Sequence, residues 1–149
     1  MSEHVRQTEP FRWEGIEVRP YKLEGTHFSG VTRQLLYEGG GGLACQLRYF
    51  EIAPGGWSSL ERHQHAHVVM VVRGRARVLV GDRIFDAGMH DLVQVPSFTW
   101  HQFQAGADAP LGFLCMVDCE RDAPERPDAA ALAELRRDPA VAGFIRVAG

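Results

Sequence analysis

Apolar and polar positions alternate through the middle of this chain in short bursts, each three to eleven residues long and closed by turn chemistry. The runs read "HFSGVTRQLLY", "LACQLRYFEI", "HVVMVV", "ARVLV", "RIF", "LVQV", "WHQF" and "LGFLCMV". They are rich in Val, Ile, Leu and aromatic residues, and the breaks between them ("EGGGG", "APGG", "RG", "GD", "AG", "QAGADAP") supply the backbone freedom that turns need. Several lie about eight to twelve residues apart, the rhythm of an antiparallel sandwich or barrel. The pattern therefore predicts an all-β domain over residues 26–120. Residues 1–25, polar with scattered aromatics, are expected to wrap its outside. After "CERDAPERP" the period changes: "DAAALAELRRD" offers Asp128 as an N-cap, Leu132 and Leu135 on one side, and Asp138-Pro139 as a stop. Residues 121–149 thus read as a short C-terminal helix and tail.

Composition changes this picture little. With 149 residues the chain is long enough for one domain with a real core. A formal charge of -3 gives no electrostatic reason to expect nucleic acid or an anionic membrane. No apolar run approaches the ~20 residues of a membrane span, and "MSEHVRQTEPFRWEG" lacks the apolar centre of a signal peptide. Cys45, Cys115 and Cys119 are an odd set without zinc-like spacing, read as reduced thiols of a cytoplasmic protein.

The chemistry concentrates in "ERHQHAHVV". Side chains two apart in a strand share a face, so Glu61, His63, His65 and His67 would stand in one row if the stretch were extended. Imidazoles and a carboxylate entering an apolar strand need satisfying: by solvent, by an internal hydrogen-bonded cluster, or by a borderline divalent cation. A further ligand would come from "VPSFTWHQF", where His101 opens a strand after a short turn; His90 sits in an exposed-looking hairpin turn.

These two segments resemble the signature motifs of the cupin superfamily. In the first, Gly55 is followed at the family spacing by Glu61, His63, His67 and Gly74, with Glu61 at the place of the first histidine and His67 at that of the glutamate. In the second, Pro96 and His101 are kept, while His90 and Phe98 stand where the family has glycine and Ala105 where it has asparagine. The resemblance covers roughly residues 43–117 and implies a jelly-roll barrel, the double-stranded β-helix.

By that resemblance, Glu61, His63, His67 and His101 hold one divalent transition metal per chain. Iron or manganese comes first; nickel, copper or zinc are alternatives, since nitrogen and oxygen donors do not choose among them. His65 meets no family position and reads as a neighbour that orients a ligand, or as a substitute for Glu61. Pocket candidates are Tyr49 and Glu51 (with Arg48 and Phe50 on the other face of the same strand), Met70, Phe103, Phe113 and Cys115, each of which could equally be ordinary core. The expected function is a mononuclear metal-dependent oxidoreductase, dioxygenase-like, acting on a small molecule. The alternatives are a metal-dependent sensing module and an isomerase or lyase using the metal as Lewis acid. A homodimer is expected, because the edges of a short barrel need covering.

Overall fold

The computed structural model describes residues 3–22 and 25–148. The ends of the expected N-terminal segment and tail (residues 1, 2, 23, 24 and 149) lie outside them. Among the described residues eleven strands and two helices follow in order: β1 (Gln7–Glu9), β2 (Arg12–Trp13), β3 (Arg19–Pro20), β4 (Ser29–Tyr37), β5 (Cys45–Trp57), β6 (His67–Arg73), β7 (Ala76–Val80), β8 (Arg83–Ala87), β9 (Leu92–Val95), β10 (His101–Ala105), β11 (Leu111–Asp118), α1 (Ala129–Leu135) and α2 (Pro139–Phe144). Each apolar run of the sequence became a strand, because its alternation has a buried face to fill.

The strands pair antiparallel in the order β8-β7-β10-β5-β11-β6-β9, with β4 along the free side of β5 and β3 along β4. The long β5 is the joint of the jelly roll. Its first two-thirds lie between β4 and β11, and its last residue, Trp57, pairs with Gln104 of β10. Gly56 permits that bend: a Cβ there would collide with the Ser29 carbonyl of β4.

Strand parity sorts the side chains. Phe50, Ile52, Val69, Val71, Phe103, Phe113 and Cys115 fill the barrel interior. Burying such side chains contributes about 1.5–3 kcal/mol each. The outer face is also covered, from both ends of the chain. Phe11 stacks on Tyr49 at 5.3 Å, and Trp13 meets the same ring edge-on at 5.5 Å. The C-terminal helices lay Val141, Phe144 and Ile145 over Leu60 and Leu79 in a second apolar cluster. Gln102, fully buried on that outer face, ties the tail down by donating to the Ser58 and Arg146 carbonyls at 2.8 and 2.7 Å.

The C-terminal reading needs one correction. Asp138-Pro139 ends nothing: Asp138 caps α2 and Pro139 occupies its first turn, where its missing N–H costs no hydrogen bond. Two short helices therefore stand where one was expected. Among the described residues, no helix is long and apolar enough to cross a membrane.

Candidate metal centre and cavity

The histidine row is not one strand. Residues 58–66 form a loop, and the ladder begins only at His67. Glu61 is fastened to His101 by a pair of backbone hydrogen bonds (3.3 and 3.0 Å), which brings the two family motifs side by side. The other anchor is the second motif itself. His90 and Phe98, the residues at the family's glycine positions, have φ of 69° and 53°, so the left-handed backbone persists without glycine. Phe98 N–H then donates to the His63 carbonyl at 2.8 Å, holding the two loops together.

From these supports His63, His67 and His101 converge, with one ring nitrogen of each within 4.8 Å of the others. The Nε2 atoms of His67 and His101 are 3.3 Å apart. Two imidazole nitrogens that close together suit joint ligation of one divalent cation. The opposite nitrogens are already used: His63 Nδ1 donates to the His65 carbonyl at 2.6 Å, and His101 Nδ1 to the Thr99 carbonyl at 2.9 Å. Such bonds fix the ring tautomer and leave Nε2 free as a donor to metal. Burial, reinforced by His101 and His63, holds His67 down at about 2, and burial holds His101 at about 4. His63 is lowered for the same reason. All three are neutral near pH 7, the form in which imidazole ligates.

Glu61 lines the same cavity but stands outside the convergent trio; one of its oxygens accepts from Lys22 Nζ at 2.7 Å. His65 is also outside it. Its ring lies flat on His63 (3.7 Å between centroids, 2° between planes), and its Nδ1 donates to Asp122 at 2.7 Å. Asp122 also accepts the backbone N–H groups of Gln64 (2.7 Å) and His65 (3.1 Å). These donors hold its carboxyl well below the usual range. Asp122 thus clamps the loop that carries His63.

The trio opens into a cavity of about 490 Å3. Of the pocket candidates, Phe103, Phe113 and Cys115 line it. Tyr49, Glu51 and Met70 do not: they occupy the opposite parity and face outward, and Arg48 and Phe50 take the inward places on β5. Tyr49 is nonetheless fully buried, beneath Phe11 and Trp13, with its hydroxyl donating to Glu51 at 2.9 Å. Sequence reasoning missed Tyr21, Lys22, Arg33, Cys119, Arg121 and Asp122, which complete the walls. Arg33 did carry a signal, since it shares the inward face of β4 with Val31. The others come from irregular flanking segments with no period to read. Cys115 Sγ lies 3.2 Å from His67 Nδ1 and 3.4 Å from Arg48 Nη2, so a thiol touches the trio.

Residues 48–117 match a family model described as a cupin domain. A Rhodospirillum rubrum protein named 1-methylthio-D-xylulose 5-phosphate methylsulfurylase is 53% identical over 136 residues, covering 91% of this chain and 86% of the relative. Among solved structures, a cupin 2 conserved barrel domain protein from Rhodopseudomonas palustris matches with a TM-score of 0.91 at 50% identity, over 97% of this chain and 99% of that one. A cupin-2 domain protein from Rhodospirillum rubrum matches at 0.85 and 51% identity, over 95% and 94% of the two chains.

Proposed function

The chain belongs to the cupin family, and from that premise we propose that it is a metal-dependent enzyme that removes the methylthio group of a 1-methylthio ketose phosphate. The observation that carries this reading is the thiol of Cys115 against the histidine trio, 3.2 Å from His67, in a chain half identical to a methylsulfurylase. The dioxygenase reading rests on the trio alone and leaves the thiol without a task.

His63, His67 and His101 would hold the metal, with Glu61 a carboxylate on the wall of the same cavity. A divalent cation there supplies Lewis acidity to a carbonyl or hydroxyl oxygen of the substrate. With Nε2 given to the ion, His67 keeps its proton on Nδ1 and donates it to Cys115 Sγ, while the Arg48 guanidinium flanks the same sulfur. Burial pushes the Cys115 thiol up and the Arg48 guanidinium opposes that rise, so the sulfur gives up its proton only as it attacks the methylthio sulfur. The bond from C1 to sulfur breaks, its electron pair passes to C1 and into the C2 carbonyl, and a proton then returns to C1. The products are a 1-deoxy ketose phosphate and a methyl disulfide on Cys115. A small-molecule thiol clears that disulfide by exchange, leaving with the methylthio group and restoring the free cysteine.

The test is proton NMR of 1-methylthio-D-xylulose 5-phosphate incubated with metal-loaded protein and 2-mercaptoethanol. The expected result is loss of the S-methyl signal of the substrate and growth of a C1 methyl, abolished in Cys115→Ser with metal content unchanged. Absence of turnover overturns the reading, and substrate-dependent oxygen uptake would restore the dioxygenase. Loss of activity in Cys119→Ser but not Cys115→Ser would move the thiol role to the other cysteine.

A further inference from the structure

Six charged residues line the cavity: Lys22, Arg33, Arg48, Glu61, Arg121 and Asp122. Both carboxylates are engaged, Glu61 by Lys22 and Asp122 by the His65 loop. The three arginines are not balanced. Elsewhere Arg6, Arg19, Arg62, Arg73, Arg77 and Arg137 each pair with a carboxylate, and the arginines there that form no such pair among the described residues (Arg12, Arg75, Arg83, Arg126, Arg136 and Arg146) do not line the cavity. Among the described residues, Arg33, Arg48 and Arg121 have no such pair, although they arise from three separate segments and share one cavity.

Their bonds are to neutral partners. Arg121 Nη1 donates to Gln46 Oε1 and to the Asp118 carbonyl, both at 2.8 Å, and Arg48 Nη2 reaches the Cys115 sulfur. The Nε atoms of Arg33 and Arg48 are buried with no protein acceptor. Buried donors of charged groups are costly to leave unpaired. Burial, and then the nearby Arg48, lower the proton affinity of both Arg33 and Arg121, as expected where like charges crowd together. A fold does not gather three cations in one cavity for stability. The guanidinium fork matches phosphate oxygens in pairs, and several forks converging suit a dianion.

We infer that Arg33, Arg48 and Arg121 form the subsite for the phosphate monoester end of the substrate, with Cys115 between it and the histidine trio. The inference deepens the reading of this cavity as the site of a ketose phosphate, and rests on it for the identity of the anion. Arg48 contacts Cys115, which in turn contacts His67. A ligand with its phosphate on the arginines therefore lays its carbon chain past the thiol toward the trio. Arg33 and Arg121 line the same cavity and make no hydrogen bond to the Cys115 sulfur, so they set the requirement for phosphate without holding the thiol.

Calorimetric titration tests this with two probes: D-xylulose 5-phosphate on the metal-loaded protein, and inorganic phosphate on the metal-free protein, where no ion can bind it. Charged hydrogen bonds of this kind predict about ten- to hundredfold weaker binding of both probes in Arg33→Gln and in Arg121→Gln. Metal content should be unchanged, and the ligand-free thermal midpoint should be no lower than that of the unaltered protein, which separates a lost subsite from a lost fold. Affinities within twofold of the unaltered protein in the Arg33→Gln/Arg121→Gln pair overturn the subsite. So does D-xylulose binding as tightly as its 5-phosphate. Arginine-dependent phosphate binding in a protein that leaves the methylthio substrate intact would instead sink the proposed reaction and keep the subsite.

Discussion

Replacing Asp122 should loosen the metal although Asp122 lies outside the trio. Its carboxylate receives Gln64 N–H at 2.7 Å, His65 N–H at 3.1 Å and His65 Nδ1 at 2.7 Å. Those bonds fix the turn whose His65 carbonyl orients His63 and whose His65 ring stacks on it. Asp122→Ala removes all three bonds, so His63 can swing and His65 can leave its face. Partners of this kind are typically worth ten- to hundredfold in metal affinity; the alanine variant should fall toward the upper end. Asp122→Asn keeps one acceptor oxygen for three donors and should cost about tenfold. The assay is competition for manganese or zinc against a chelator of known affinity. Glu125→Gln, which removes the neighbouring surface pair with Arg62 at 2.9 Å, should change nothing measurable. If Asp122 acts through His65, the double variant Asp122→Ala/His65→Ala should bind metal about as well as Asp122→Ala alone. Metal affinity in Asp122→Ala within twofold of the unaltered protein, or full additivity in the double variant, would refute the clamp.

Metal analysis should separate ligand from neighbour: His63→Ala, His67→Ala and His101→Ala are expected to lose most bound metal, whereas Glu61→Ala, with the three imidazoles intact, should keep near one ion per chain at reduced affinity; an empty site in Glu61→Ala would contradict this. The metal-free protein should lose stability as pH falls below 6.5, because the unfolded chain then protonates His67 and His101 while the folded state, with values of about 2 and about 4, cannot; above 6.5 both states are neutral and the contribution vanishes. At about 1.4 kcal/mol per pH unit for each ring, urea denaturation at pH 5.5 should give roughly 2.5–3 kcal/mol less than at pH 7.5 from these two groups. Equal stability of the unaltered protein and His67→Gln/His101→Gln across that interval, relative to pH 7.5, would show that the rings titrate normally.

The barrel was legible because its strands alternate cleanly, and His63, His67 and His101 were legible because the motif spacing survives where glycine does not. Parity put His65 in one row with the other histidines; the loop before His67 keeps it on the cavity wall but turns the ring onto His63 and toward Asp122. Parity also left β5 ambiguous. Both Tyr49 and Phe50 are buried, one under the N-terminal aromatics and one in the barrel, so burial preference could not say which faced the cavity. Asp138-Pro139 misled because proline halts a helix from inside but begins one from its first turn. Arg121 and Asp122 were illegible for a different reason. They follow β11 in an irregular stretch, and only the closed barrel brings that stretch back over the histidines.

The cavity also has a division of labour along the chain. The segment matching the cupin domain, residues 48–117, carries the trio, Cys115 and Arg48. Tyr21, Lys22, Arg33, Cys119, Arg121 and Asp122 come from outside that segment. The histidine trio and Cys115 are therefore built from the shared scaffold, while much of the remaining cavity wall is supplied by flanking sequence. Changes in those flanks can alter which molecule is accepted with the ion-holding residues untouched. Grafting the two flanks of one such barrel onto the core of another should transfer ligand preference, and a barrel cut back to the shared segment would keep its histidines, Cys115 and Arg48 but lose Arg33, Arg121 and the Asp122 clamp.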